Sequence, residues 1–350
     1  MKHISIGHKR IGLDEETYII AELSGNHGGD LNKCLDLLHA ACDAGADAIK
    51  LQAYTPDTIT MNTSNGDFKI PQDNAWAAYE NLYNLYQYAH TPWEWFPALF
   101  EAAQQRGVEL FGSVFDVTSV DELEKYNCKA YKIASPEIVD TALLEKVAAT
   151  GKPVIVSTGL ANIGDIYDAV SCLREHGCDD IILLKCTTAY PTPPEEVNLK
   201  TIKNLEETFG CYAGLSDHTI GIGVSIAAVA LGAKVIEKHV KLNNEDETVD
   251  SFFSLTPQDF QNMITEIRRA ELAVGQVKYD LTPEASKNKN GRRSLYVSRA
   301  IKAGEAFSED NIKSVRPGLG LEPKFKKIIL NKKANRDLEV GDRLDWDVIS

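Results

Sequence analysis

Three lysines sit inside otherwise apolar runs: Lys50 in AIKLQ, Lys132 in AYKIAS and Lys185 in ILLKCT. Burying an ammonium in such a run is costly unless an anion pairs with it. Ser113, Ser135, Ser157 and Ser216 lie in comparable runs, and hydroxyls converging with ammonium groups would cradle a phosphate or a carboxylate. His218 in SDHT and His239 in EKH stand beside charged and hydroxyl-bearing residues. Two imidazoles without a thiolate make an open coordination sphere, suited to a divalent cation that keeps positions for water and substrate. Glu22 and Glu237 are candidates for general-base work or water activation, or for structural pairing with the lysines. Asp250 in TVDSFFSL could hydrogen-bond a polyhydroxylated substrate or cap a turn. Each residue alone has an ordinary explanation: a serine caps the next helix, a histidine is hydrogen-bonded in the core. Convergence is what would make them a site.

Convergence depends on the elements that carry them. From residue 18 to about 275, short β-branched runs at 18–22, 48–52, 109–113, 130–134, 153–157, 181–186, 212–216 and 234–239 alternate with amphipathic helical stretches. Eight strand–helix units over about 250 residues predict an α/β fold, a (β/α)8 TIM barrel, whose active site lies at the carboxyl ends of the strands. A doubly wound open sheet is the alternative, but no GxGxxG follows the first strand. At the carboxyl ends fall Glu22, then Lys50 and Gln52 two apart on one face. Ser113 follows, then Lys132 with Ser135, Ser157 with Thr158, and Lys185 with Thr187 and Thr188. Ser216 with His218 and Glu237 with His239 complete the ring. His218 and His239 would end neighbouring strands, whose axes run about 4.8 Å apart, close enough to share one cation.

Residues 54–95 exceed an ordinary βα loop and are rich in aromatics. They would form either a lid over the barrel mouth or an insertion packed outside. Beyond residue 275 the composition turns polar. Residues 1–275 are thus expected to form the barrel, 276–290 a linker, and 291–350 a small, mostly-β domain. With 37 basic against 51 acidic residues the net charge is −14, which disfavours nucleic acid and anionic membrane as partners. The amino terminus lacks the apolar core of a secretory signal, and the seven scattered cysteines form no CxxC pair. Reduced thiols in a cytoplasm are the expectation.

The motifs AELSGNHGGDL, ADAIKLQAYTPD, YKIASPE, VSTGL, LLKCTTAYPTP, GLSDHTIG, VIEKHVKL and SVRPGLGL occur in this order along the chain. Together they resemble the sialic acid synthase family, a phosphoenolpyruvate-condensing TIM barrel joined to a C-terminal antifreeze-like (SAF) domain. AELSGNH, AIKLQAYTPD, DSFFSL and RRSLYVSRAIKAGE are most similar to its pseudaminic acid synthase branch. The resemblance implies condensation of phosphoenolpyruvate with an N-acylated amino sugar to a nine-carbon 2-keto acid and phosphate. Lys50, Ser113, Lys132, Ser135, Ser157, Lys185 and Ser216 would hold phosphoenolpyruvate, while His218 and His239 would bind Mn²⁺, or Mg²⁺ or Co²⁺. Glu22 would orient the attacking water or stabilise the cationic centre, and Gln52, Tyr190, Glu237 and Asp250 would surround the sugar. Arg316 of the small domain would reach the partner subunit's barrel in a domain-swapped homodimer. Other readings are the same condensation on the sugars leading to N-acetylneuraminic or legionaminic acid, a metal-dependent aldolase, and a non-catalytic carbohydrate- or ice-binding protein.

Overall fold

Runs of β-branched and aliphatic residues buried on both faces are what a parallel sheet covered by helices requires, and they form one here. In a computed structural model describing residues 1–350, β3 (Tyr18–Glu22), β4 (Ala48–Ala53), β5 (Glu109–Val114), β6 (Tyr131–Ile133), β7 (Val154–Ser157), β8 (Ile181–Cys186), β9 (Tyr212–Asp217) and β10 (Val235–His239) close into a parallel barrel. Their order is sequential, with β10 pairing β3. Several of the helices between them start at side-chain caps. Asp30, Asp116, Asp140 and Asn162 each accept backbone N–H groups of the turn that follows. Leu37, Leu38, Leu143 and Leu173 bring those helices into one core with Ile19, Ile49, Ile155 and Ile182. An amino-terminal antiparallel hairpin, β1 (Ile4–Ile6) with β2 (Lys9–Ile11), buries Ile4, Ile6 and Ile11 in the same core. Nothing in the sequence reading anticipates it, because its strands are only three residues long.

The strand register decides which side chains enter the lumen. Directly paired residues on neighbouring strands point the same way and alternate along each strand. Glu22 pairs with Lys50, Gln52 with Ser113, and Ser113 with Lys132. Cys186 pairs with Ser216, Ser216 with Glu237, and His239 with Glu22. The polar set therefore shares one parity around the barrel. The opposite parity faces the helices, and there Asp217 and Lys238 form an ion pair of 2.9 Å with both side chains at 0% exposure. Lys238 Nζ also donates to the Thr219 carbonyl at 2.5 Å, while the Asp217 carboxylate accepts from Thr219 and Ser225. This network ties down the backbone on either side of His218.

The second compact unit, Gln276–Ser350, pairs β11 (Ser294–Val297) with β12 (Ile312–Val315) antiparallel. Isolated bridges such as Ile301 to Leu338 and Ala334 to Ile349 extend the pairing. Leu295, Ile301, Phe307, Ile312, Leu338 and Leu344 give it a core of its own. Residues 276–290, linker-like in composition, belong to this unit and include a short helix, Pro283–Lys287, capped by Thr282. Arg316 lies here, beside Arg292, Lys287 and Asn290 around one recess.

Candidate active site

Two lysines and two carboxylates, all buried, make the floor of the lumen. Lys50 Nζ lies 2.7 Å from Glu22 Oε2 and 3.2 Å from Glu237 Oε2, and 3.1 Å from Ser113 Oγ. Lys132 Nζ donates to both Glu237 oxygens at 3.1 Å, and Ser216 Oγ donates to Glu237 Oε1 at 2.8 Å. Burial opposes every one of these charges, so the outcome for each depends on its neighbours. Glu237, with two ammonium groups and a hydroxyl on it, is held well below the ordinary carboxylate range despite its burial. For Glu22 burial outweighs Lys50, and its pKa is raised. For Lys50 burial is outweighed by Glu22 and Glu237, so it stays firmly protonated, whereas burial lowers Lys132. Two carboxylates with their affinities for protons pushed apart, Glu22 upward and Glu237 downward, suit acid–base work.

Hydroxyls gather at one side of this floor. Ser135 Oγ accepts the Gly159 N–H at 3.0 Å. A Cβ on Gly159 would come within 2.4 Å of Thr188 Oγ1, 2.9 Å of Ser135 Oγ and 3.1 Å of Cys186 Sγ, so only glycine lets the backbone approach. Ser157 Oγ and Thr188 Oγ1 are buried without a hydrogen-bond partner. Such groups cost about 1–3 kcal/mol each when left unpaired, and an anionic ligand oxygen would satisfy them.

Above the floor the His218 and His239 rings stand 5.2 Å apart, centre to centre. His218 Nδ1 faces the Thr187 carbonyl at 3.2 Å, which fixes that nitrogen as the donor and leaves Nε2 with its lone pair. Burial holds His239 neutral, far below its ordinary pKa. Its buried Nδ1 has no hydrogen-bond partner and lies 3.7 Å from Asp250 Oδ2. Burial raises Asp250 itself to about 6. Asn26 positions it: its side-chain oxygen accepts from the Asp250 N–H and Thr248 Oγ1, and its amide donates to the Val240 carbonyl. An orphaned ring nitrogen beside a second imidazole and a carboxylate is a donor set that fits a divalent cation. A second cluster of ligand atoms, Glu145, Cys172 and His176 within 4.8 Å of one another, sits on the helical layer and is largely exposed.

One sequence-based expectation is corrected. Lys185 does not join the floor, because it pairs with Leu215 and so has the outward parity. Its ammonium donates to the Cys186 carbonyl and to Thr187 Oγ1. The lumen position on β8 belongs to Cys186, whose thiol is brought down to about 7, His218 outweighing burial. Gln52 has the lumen parity, and Tyr190 lies over His218 with ring centres 4.6 Å apart. Thr188, one of the strand-end residues, joins the site. Two further residues join it unannounced. In Glu137 burial raises the carboxyl to about 7 and leaves Oε2 unpaired. Trp76 packs on Tyr190. Both lie in loops beyond strand ends, where residue periodicity gives no orientation.

The chain matches the family model described as the NeuB family over residues 37–279, and that of the SAF domain over residues 292–349. The chain belongs to the NeuB family. NeuB relatives include a pseudaminic acid synthase of Campylobacter jejuni, 47% identical over 95% of this chain and 96% of that one. A pseudaminic acid synthase of Helicobacter pylori is 46% identical over 95% and 97%. Among solved NeuB-like structures, an N-acetylneuraminic acid synthetase from Leptospira borgpetersenii in complex with citrate superimposes with a TM-score of 0.71 at 32% identity, covering 82% of this chain and 95% of that one. The closed eight-strand barrel followed by a small SAF domain is the architecture of this chain. No helix is long and apolar enough to cross a membrane.

Proposed function

We propose that this chain is a pseudaminic acid synthase. It would condense phosphoenolpyruvate with 2,4-diacetamido-2,4,6-trideoxy-L-altrose and water to give the nine-carbon 2-keto acid and inorganic phosphate. The observation that carries the reading is the buried Lys50–Glu22–Glu237–Lys132 floor beneath two adjacent imidazoles; the named relatives agree with it. His218 and His239 would hold a divalent cation, Mn²⁺ ahead of Mg²⁺ or Co²⁺, which when bound supplies Lewis-acid polarisation of the sugar's aldehyde oxygen.

The residues supply the rest. Lys50 and Lys132 balance the charge of phosphoenolpyruvate, and Ser113, Ser135, Ser157, Thr188 and Ser216 offer hydroxyls to its oxygens. Gln52, Tyr190, Asp250 and Glu137 line the sugar's side. Carbon 3 of the enol attacks carbon 1 of the aldehyde, forming the new C–C bond, and the aldehyde oxygen takes a proton. Carbon 2 becomes electron-deficient and water adds to it, giving up its proton to Glu22, whose raised pKa suits a general base. The tetrahedral phosphate hemiketal then collapses. Its C–O bond to phosphate breaks and the ketone remains. Consumption of phosphoenolpyruvate supports a cytoplasmic location.

Incubation with phosphoenolpyruvate, Mn²⁺ and a panel of amino sugars tests this. The expected result is phosphate release dependent on the diacetamido trideoxy sugar, with ¹⁸O from the C–O bridge recovered in phosphate. Turnover of N-acetylmannosamine or of the legionaminic acid precursor alone would reassign the sugar. No phosphate release with any sugar would remove the synthase reading in favour of carbohydrate binding.

Arg316 is proposed to act in trans, in a domain-swapped homodimer. The barrel's carboxyl rim exposes Val139, Leu160, Ile163 and Ile220, each at least 60% accessible, and Val277 and Tyr279 are 89% and 97% accessible. These exposed apolar side chains are available for burial against a second copy. Mixed, refolded preparations of Lys50→Met and Arg316→Ala, each inactive alone, should regain activity through heterodimers. A mixture no more active than its parts would place Arg316 in cis or outside the reaction.

A further inference from the structure

The segment 54–95 carries an apolar cluster separate from the barrel core. Ile70, Leu85 and Ala89 pack against Val249 of the loop after β10, with Trp76, Tyr79 and Leu82 on the cluster's edge. Trp76 Nε1 donates to the Val249 carbonyl at 2.8 Å. Its ring stands 5.3 Å from Tyr190 and 6.4 Å from Phe252. Tyr190 in turn covers His218, and Phe253 lies 4.8 Å from His239 and 5.3 Å from Tyr190. A continuous aromatic wall thus runs from the two imidazoles to the segment that overlies them. The indole's only donor is taken by a backbone carbonyl, and the phenylalanines have none.

We propose that Trp76, backed by Phe252 and Phe253, determines which sugar is accepted, selecting an amino sugar with apolar substituents over a more hydroxylated one. This rests on the reading above, which puts the sugar's reacting end at His218 and His239; the wall that adjoins those rings then meets its tail. The physical basis is asymmetric. A methyl laid on the wall gains by leaving water for an apolar surface. A hydroxyl laid on the indole or phenyl faces instead loses water and finds no donor or acceptor on them. The diacetamido trideoxy sugar offers two acyl methyls and a deoxygenated carbon 6. N-acetylmannosamine offers one acyl methyl and a hydroxymethyl. Pocket contacts of this kind discriminate by about 10–200-fold per group.

The test compares kcat/KM for these two sugars in wild type, Trp76→Ala and Trp76→Phe, with the KM for phosphoenolpyruvate as the internal control. For Trp76→Ala the KM for the diacetamido sugar should rise about tenfold or more, the preference over N-acetylmannosamine should shrink by a similar factor, and the phosphoenolpyruvate KM should stay unchanged. Trp76→Phe keeps an apolar face and should retain most of the preference. If both variants discriminate as wild type does, or if wild type shows no preference for the deoxygenated sugar, the proposal is overturned while the synthase reading stands. An equal loss of kcat/KM for both sugars in both variants, with a changed phosphoenolpyruvate KM, shows a purely structural role and also overturns it. If wild type turns over neither sugar, the synthase reading fails and the proposal falls with it.

Discussion

Glu22→Gln is expected to lower kcat by about 10²–10⁴-fold, the contribution of a well-placed general acid–base group, while the KM for phosphoenolpyruvate changes little. The separation follows from the floor's wiring. Lys50 has two carboxylate partners, Glu22 and Glu237, so removing the charge of Glu22 leaves that ammonium paired and positioned. Lys132 does not touch Glu22 at all and keeps both oxygens of Glu237. The amide is nearly isosteric, and its single oxygen can keep either the Ser24 N–H that Glu22 Oε1 accepts at 2.8 Å or the Lys50 ammonium, which retains Glu237 in either case. What it loses is the ability to take a proton from water. Steady-state phosphate release at saturating sugar is the measurement. A kcat within about tenfold of wild type would show that another group activates the water.

His239→Ala should weaken Mn²⁺ binding by more than about 100-fold, beyond the roughly 10–100-fold typical when only an outer partner of a ligand is lost, and activity at low micromolar metal should vanish. The ring is neutral at physiological pH because burial depresses its pKa. Metal binding need not displace a proton from it, and loss of the ring is loss of a ready lone pair. Free Mn²⁺ followed by electron paramagnetic resonance reads the affinity directly, without turnover. His176→Ala is the control, since it removes a member of the exposed cluster on the helical layer. Equal weakening by the two substitutions would move the metal to that outer cluster, and no weakening by His239→Ala would refute the histidine pair.

Much of the site was legible because strands encode orientation. Lys50 and Gln52, Ser216 and His218, Glu237 and His239 are each two apart, and each pair shares a face. Lys185 shows where that reading breaks. It lies inside an apolar run just as Lys50 and Lys132 do, but only the register with β9 reveals that Cys186 holds the inward parity. The apolar run cannot show it, because strands buried on both faces lose the alternation that marks in from out. Similarly, a buried lysine signals that an anion is near without saying which one. The internal partners Glu22 and Glu237 come from strands far away in sequence. Glu137 and Trp76 were illegible for a third reason, since loop residues reach the lumen by tertiary packing alone. The same holds for residues 54–95, where only the contact of Trp76 with Tyr190 and Val249 distinguishes a cover from an external insertion.

The lumen's shared parity has an evolutionary consequence. Inserting or deleting one residue within any barrel strand would turn its polar side chains toward the helices, so the reacting groups can change only by substitution. The three loops that meet at Trp76, Tyr190 and Phe252 carry no such phase and tolerate length changes. On the proposal for Trp76, transplanting those loops between relatives should shift sugar preference without rebuilding the catalyst.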